Sequence, residues 1–434
     1  MKHWISFLRK HSYITMMGIV LRLLPSPLTG HPYDMGIWWT TGKLLSKGQS
    51  PYTPYDHLGQ PVIMGVWMLI SYLIAAHLPY STNMFSLFMK IPLMLTDLYL
   101  PYYLLHLCKK YNVPVSCSER RFYAFIFLNP LAILITGFWG MPDLLALILA
   151  LISLDRLLEE KWFLSSMLLS LAIGIKLYPA VLTVSMMIVL QWKSQSRLLP
   201  FIYGAVTTIV FLLISYLPFF ILGWDQAEIT GVLTSQTNRG YGTLSPFHML
   251  ILFSYYNHSL YLQQIVEFIV RNDWLGFLWA INSIFLLLIM QIIGRNLHNN
   301  VSLDVSFLFA LDLMVVSYAL WMAVASWVSE QNTLPWLILT LFSGILDDDR
   351  RVILISFLAS VFVIGFAVYN LPFFRFFYMT FKPIIIYSLN LPLVTQRNYF
   401  LSLYGSAYYI MMLMLLVLHI RKLRLMVIYW KKVI

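Results

Sequence analysis

A chain of 434 residues that is 60% hydrophobic and only 11% charged, with a mean hydropathy of +0.75, is not a water-soluble domain, which carries about 25% charged residues. Its formal charge of +11 does not point to nucleic acid, because the basic residues lie in short runs between apolar segments, where the positive-inside rule expects them. The two cysteines, Cys108 and Cys117, flank a basic loop and supply neither a disulfide framework nor a cysteine metal site.

The opening MKHWISFLRKH is basic like the start of a signal peptide. No small-residue cleavage site follows PSPLTG, so it reads as a retained first helix. A membrane crossing needs roughly 20 apolar residues. Spans are predicted near 12–28, 84–107, 121–138, 143–158, 162–175, 176–192, 199–222, 273–295, 304–328, 332–346, 351–370 and 400–420. The fold class is an all-α polytopic membrane protein of about 12 transmembrane helices, with residues 1–434 forming a single integral-membrane domain. Neither a repeat nor an inverted pair of halves is evident, unlike many secondary transporters.

Segment Val62–Leu78 decides the orientation. As a crossing it would put Lys109, Lys110, Arg120 and Arg121 outside. As a re-entrant or interfacial piece it leaves every basic cluster on one side: Lys2/Arg9/Lys10, Lys109–Arg121, Lys193/Arg197, Arg295, Arg350/Arg351 and Arg421/Lys422/Arg424. The second reading obeys the rule and makes both termini cytoplasmic. Two outward regions follow, 29–83 and 223–272. The polar turns at Asp34, Asp143, Trp224–Pro246 and Glu330 then share the non-cytoplasmic face with the junction at Lys176 and Tyr178, which is the expected place for an active site.

Asp34 ends the first apolar run. It is either a helix-capping or solvated loop acid or a base, and the stretch GIWWTTGKLLSKG after it favours the base. That stretch suits an interfacial helix with Ile37, Trp38 and Leu44/Leu45 on the apolar side and Lys43/Lys47 on the polar side. A carboxylate held against such walls is partly desolvated and so becomes a stronger base towards a hydroxyl. Arg22, inside GIVLRLLP, either snorkels or faces a lipid phosphate, since a cation at mid-bilayer costs roughly 2.5–3.5 kcal/mol on insertion scales. Lys176, in AIGIKLYPA, needs an anion, which is a protein acid or a substrate phosphate. Arg239 lies in SQTNRGYGTLSP, whose glycines and hydroxyls suit a phosphate cradle. Asp143 after WGMP either caps the helix from Leu144 or meets substrate. Lys90 and Asp97, seven apart, share a helical face and read as structural. Glu330 and Gln331 at a helix end either cap it or bind substrate hydroxyls.

No P-loop, GxGxxG, HExxH or DxD pair occurs in the outward loops, and the DDD at 347–349 reads as a solvated cytoplasmic cluster beside Arg350 and Arg351. Neither a bound cofactor nor a metal is expected.

The order of these pieces carries a resemblance. D34-MGIWWTTGKLLSKG-QSPY, FMKIPLMLTDL at 88–98, NPLAILITGFWGMPDLL at 129–145, AIGIKLYP at 172–179 and the NRGYGTLSP loop together resemble the GT-C membrane glycosyltransferases. The likeness covers roughly the first 250 residues. It is strongest to the polyprenyl-phosphate-mannose-dependent mannosyltransferases, including the catalytic subunit of GPI mannosyltransferase I and the bacterial phosphatidylinositol-mannoside enzyme. It implies an inverting transfer of a sugar, with mannose expected, from a polyprenyl- or dolichyl-phosphate donor to a lipid- or glycan-linked hydroxyl on the non-cytoplasmic face. Asp34 would be the general base and Arg239, Lys176 and Arg22 would hold the donor phosphate. Asp143, Tyr178, Glu330, Gln331 and Trp38 would meet the substrates, with Trp38, Trp39 and the 62–78 segment walling the polyprenyl chain. The partners implied are the lipid-linked donor, a glycolipid or glycan acceptor and membrane lipids.

The chain departs from the GPI enzyme, whose first loop carries two aspartates one residue apart; here Gly36 stands two positions after Asp34. A non-catalytic GT-C-like subunit and a lipid or solute transporter remain the alternatives. The membrane is the plasma membrane in a prokaryote or the endoplasmic reticulum in a eukaryote; the sequon at Asn257 does not decide between them.

Overall fold

Long apolar runs leave the backbone of a membrane chain one local way to satisfy its N–H and C=O groups, the helix. The structure, a computed structural model, describes residues 2–52, 63–194, 198–225, 242–245, 303–325, 327–370 and 397–433, with a few isolated positions besides. In chain order the helices are α1 (Lys2–Lys10), α2 (Ser12–Leu23), α3 (Pro32–Leu45), α4 (Ile63–Ala75), α5 (Ser81–Lys110), α6 (Glu119–Phe127) and the turn α7 (Pro130–Ala132). A π-helical segment, Ile133–Trp139, continues α7. Then come α8 (Asp143–Leu158), α9 (Trp162–Ile175), α10 (Leu182–Ser194), α11 (Leu199–Leu222), α12 (Leu303–Val324), α13 (Glu330–Leu346), α14 (Arg350–Asn370) and α15 (Arg397–Val433). Among the described residues the strands are two dipeptides, Gly242–Thr243 and Trp327–Val328, paired in parallel.

Among the described residues, five helices are long and apolar enough to cross a membrane: Glu119–Trp139, Leu199–Leu222, Val305–Ala323, Arg350–Tyr369 and Tyr399–Met426. Ser12–Leu23, Ile63–Ala75 and Trp162–Ile175 are shorter apolar helices. The predicted 62–78 segment forms α4, 13 residues long. At 1.5 Å per residue it spans ~20 Å, short of the ~30 Å hydrocarbon core. The predicted 176–192 span begins instead at Leu182, after a 3-10 turn at Tyr178–Val181, because Pro179 has no N–H to give an α-helix. The predicted span at 273–295 lies outside the described residues.

Ion pairs sort the turns into two ends. Glu119 accepts Lys10 at 2.6 Å and Lys109 at 2.8 Å, joining the amino-terminal helix to the basic 109–121 loop. Lys110 meets Asp155 at 2.6 Å, Lys193 donates to the Leu158 carbonyl, and Ser116 donates to the Ile345 carbonyl. The DDD stands partly in solvent as expected, with Asp347 and Asp348 exposed and Asp349 paired with Arg351 at 3.0 Å, while Lys422 also ties Asp347 to α15. At the other end Trp224 donates to the Gly48 carbonyl at 3.0 Å and Tyr178 to the Asp143 carbonyl at 2.7 Å. Among the described residues, these basic turns and these polar turns therefore lie at opposite ends.

Between the ends, the charges inside apolar helices are met by protein. Arg22 is 1% exposed. Its Nε donates to Asp97 at 2.8 Å, its Nη2 to the Phe127 carbonyl at 2.8 Å and its Nη1 to the Gly18 carbonyl at 3.2 Å, with the Phe127 ring 4.6 Å away. Asp97 also accepts Thr136. Arg22 thus neither snorkels nor faces a phosphate. It fastens α2 to α5 and α6, and the sequence reading missed this because Asp97 is 75 residues away. A buried pair broken on one side leaves an uncompensated charge costing ~3–5 kcal/mol. Arg22→Met should therefore lower the thermal midpoint of the detergent-solubilised protein, and Arg22→Met/Asp97→Leu should recover most of the loss, both readable by scanning fluorimetry.

Candidate active site

His31-Pro32 starts α3: His31 is the extended N-cap residue and Pro32 the first helical one, a position where the missing proline N–H costs nothing. Asp34 consequently lies in the first turn of α3, not ahead of the helix as the sequence reading had it, and the positive end of the helix dipole favours its charge. The signal was present in HPYD but was read as loop.

The Asp34 carboxylate is 23% exposed and gripped from two sides. Trp139 Nε1 donates to Oδ2 at 2.9 Å, and His31 Nδ1 lies 3.0 Å from the same oxygen. The His31 ring stacks on Trp139 with centroids 5.0 Å apart and planes 8° apart. Nδ1 also lies 3.3 Å from the Asp34 backbone N–H. It cannot accept there and donate to the carboxylate at once. The shorter contact, to a charged oxygen, places the proton on Nδ1.

The π turn carries Trp139 to this place. Widening the last turn before Gly140 re-aims the indole, and such turns gather at functional sites. Gly140 closes it with φ +89. A side chain there would be strained, and its Cβ would lie 2.8 Å from the Met35 Cε and 3.0 Å from the Lys90 Cε. Lys90, wholly buried, donates to the carbonyls of Ser26, Thr29 and Phe138 at 3.0, 2.8 and 3.0 Å. One ammonium therefore clamps the loop that leads to His31 against the residue before Trp139.

Burial alone would raise the Asp34 pKa. The His31 hydrogen bond and charge, the Trp139 N–H and the Lys176 ammonium outweigh it and hold the group below its ordinary 3.8. The expectation of a base strengthened by desolvation is thus reversed: Asp34 is kept ionised by its donors.

Lys176 lies at the carboxyl end of α9 in extended conformation, 10% exposed and 3.9 Å from Asp143 Oδ2. A protein acid, Asp143, thus stands beside it at the outer edge of ion-pair distance, without a hydrogen bond between them. Asp143 is 0% exposed. It opens α8 without a side-chain capping bond, and neither carboxylate oxygen has a hydrogen-bond partner among the described residues. Capping is therefore not its role.

Tyr178 binds the Asp143 carbonyl and packs edge-on against Tyr318, 5.1 Å between centroids; Tyr318 donates to the Asn332 carbonyl at 2.6 Å. The SEQN turn is thereby joined to the same end, with Glu330 and Gln331 both buried and Gln331 Oε1 without a hydrogen-bond partner among the described residues. Trp38 is 3% exposed in the main core, while Trp39 packs edge-on against Tyr72 of α4 and Phe85 of α5. Arg239 and the Asn257 sequon lie outside the described residues. His31 and Tyr318 were missed by sequence reading, and Trp139 was quoted without a role.

The structure therefore assembles Asp34, His31, Trp139, Lys176, Asp143 and Tyr178 at one end and leaves Arg22 apart. The family model for Glycosyltransferase family 87 matches residues 53–317, more than half of the chain. The chain belongs to glycosyltransferase family 87. It is accordingly a membrane glycosyltransferase by family, taking a sugar donor and an acceptor. No curated protein matches it. The matched stretch contains Trp139, Asp143, Lys176 and Tyr178, while His31 and Asp34 precede it and Glu330 follows it.

The grip on Asp34 has a pH signature. The free enzyme's acid limb in kcat/KM reports its essential base, and losing a donor to the ionised form raises that base's pKa. With His31→Ala, or with Trp139→Phe, the acid limb should move to higher pH than in the wild type, measured as a pH profile of sugar transfer.

Proposed function

We propose that this family 87 member is an inverting transferase that moves a sugar, most readily mannose, from a polyprenyl- or dolichyl-phosphate donor to a hydroxyl of a lipid- or glycan-linked acceptor on the non-cytoplasmic face. The setting is a bundle of about twelve crossings with α3 in the interface and both termini cytoplasmic. One observation carries the reading: an ionised, partly exposed carboxylate, Asp34, oriented by two N–H donors, whose pKa the charge of Lys176 helps to lower.

In the proposed step the acceptor oxygen attacks the anomeric carbon from the face opposite the phosphate. The bond from that carbon to the phosphate oxygen breaks as the new glycosidic bond forms, and the electron pair leaves with the phosphate. The acceptor proton passes to Asp34. A phosphate monoester tolerates the departing charge, so the chemistry asks for a cation and not for a strong acid. Lys176 is the proposed cation for that work, supported by its position beside Asp143 at the Asp34 end, and Arg239 is its proposed companion. Asp143 and Gln331, with unbonded oxygens at the same end, suit sugar or acceptor hydroxyls, and Tyr178 and Glu330 line their surroundings. Trp38 backs α3 beneath them. The reading needs no metal and no resident cofactor.

The test uses the full chain in nanodiscs with radiolabelled polyprenyl-phosphate-mannose and a lipid extract as acceptor. Wild type should transfer label, and Asp34→Asn, which keeps the shape and removes the base, should lose ~10²–10⁴-fold in rate while still binding donor. Lys176→Met should weaken donor binding itself. Donor binding without transfer by either the wild type or Asp34→Asn would point to another sugar or acceptor, or to a non-catalytic relative; transfer undiminished in Asp34→Asn would remove Asp34 as the base.

A further inference from the structure

A second polar site stands at the opposite end of the bundle from Asp34. A cavity of 390 Å³ opens where α14 begins and α15 leaves its apolar stretch, lined among others by Asp347, Asp349, Arg351, His419, Arg421 and Lys422. A groove of 600 Å³ adjoins it, sharing Arg351 and Leu418 and otherwise lined by apolar side chains of the same two helices, Leu354 and Ile355 from α14 and Leu413, Met414 and Val417 from α15. From Arg421 back to Leu413 is two helical turns, so the groove runs ~12 Å along the helices. That is most of one leaflet's share of a ~30 Å hydrocarbon core.

The charges are unevenly met. Asp349 accepts Arg351 through Nε at 3.1 Å and Nη2 at 3.0 Å. Lys422 is shared by Asp312 and Asp347. His419 meets Asp312 at 3.0 Å, and its buried Nε2 has no hydrogen-bond partner among the described residues. Arg421 is exposed and has no acid partner among the described residues. The lining holds three full cations and two carboxylates, Asp312 behind Lys422 adds a third carboxylate, and Arg421 at the mouth is left as the cation that no acid meets among the described residues.

We propose that this paired cavity and groove bind one anionic phospholipid, its phosphate on Arg421 beside Arg351 and Lys422 and an acyl chain in the groove along Leu354, Leu413 and Val417. A cationic recess alone would take any phosphate, and an apolar groove alone any lipid. Their continuity through Arg351 and Leu418 selects a molecule that is both. This lipid is not the sugar donor, because Asp34 lies at the other end. It closes the α14–α15 seam at the basic end, where a cytoplasmic leaflet is anionic.

The test is native mass spectrometry of the full chain given equal phosphatidylglycerol and phosphatidylcholine, with sn-glycerol 3-phosphate in parallel. Phosphatidylglycerol should be retained over phosphatidylcholine, and Arg421→Gln should cut that retention roughly fivefold, the weight of one cation near an anionic leaflet. Val417→Trp, filling the groove from an exposed position, should cut it too. Arg424→Gln, exposed on the same helix but outside the lining, should leave it unchanged. Equal retention of the two lipids, or equal loss in Arg424→Gln and Arg421→Gln, overturns the site. Retention of glycerol phosphate comparable to that of the lipid overturns the lipid assignment in favour of a free-phosphate site.

Discussion

Where Asp34 can stand is decided by one ammonium that touches no carboxylate among the described residues. Lys90 is wholly buried in α5 and spends its N–H groups on the carbonyls of Ser26, Thr29 and Phe138. Two of these belong to the loop running into His31 and one to the π turn ending at Trp139. The two donors of Asp34 come from those two segments, so the clamp holds them together through contacts that do not involve the carboxylate. A lysine without an acid partner inside a membrane bundle is expensive unless oxygen dipoles surround it, and here the backbone supplies them. The same demand keeps the loop from drifting.

That demand also separates structural charges from candidate functional ones. Arg22 has Asp97, two carbonyls and an aromatic face. Asp312 has His419, Lys422 and Ser343. Asp97 and Asp312 each have at least one oppositely charged partner at hydrogen-bond distance. The residues around Asp34 differ: Lys176 reaches its acid only at 3.9 Å, and both Asp143 oxygens lack hydrogen bonds among the described residues. Desolvated polar atoms without partners are costly in a folded chain, and a carboxylate with both oxygens in that state, as Asp143 has here, is the costliest kind.

Much of the frame was readable in the sequence because it rests on local signals. Hydrophobic runs placed most of the helices from α5 to α14 within a few residues where the structure describes them, whereas α10 starts six residues late and α15 runs thirteen residues past its expected end at 420. Pro179 marked the break before α10, and the basic turns among the described residues gather at one end. The site was legible only in part. Asp34, Asp143, Lys176, Tyr178 and the SEQN turn were singled out as polar interruptions of apolar runs, and they do converge. Their partners were not legible: Trp139 reaches Asp34 across 105 residues and Arg22 reaches Asp97 across 75, and no periodicity encodes such pairs. The π turn was equally invisible, since ILITGFW reads as ordinary helix until its Gly140 cap is seen.

The depressed pKa of Asp34 bears on how it would act under the proposed mechanism. A strong base would suit a reaction that strips the acceptor hydroxyl before attack. In an inverting displacement at an anomeric carbon the acceptor proton becomes acidic only as the new bond forms, so the base is needed late and need not be strong. What it must be is unprotonated when the acceptor arrives and correctly aimed at that moment. A carboxylate held by an imidazole N–H, an indole N–H and a nearby ammonium meets both needs at the expense of basicity. Because both side-chain donors hold Oδ2, the other oxygen, Oδ1, is the natural proton acceptor, and the grip that lowers the pKa is then also the grip that leaves one oxygen open.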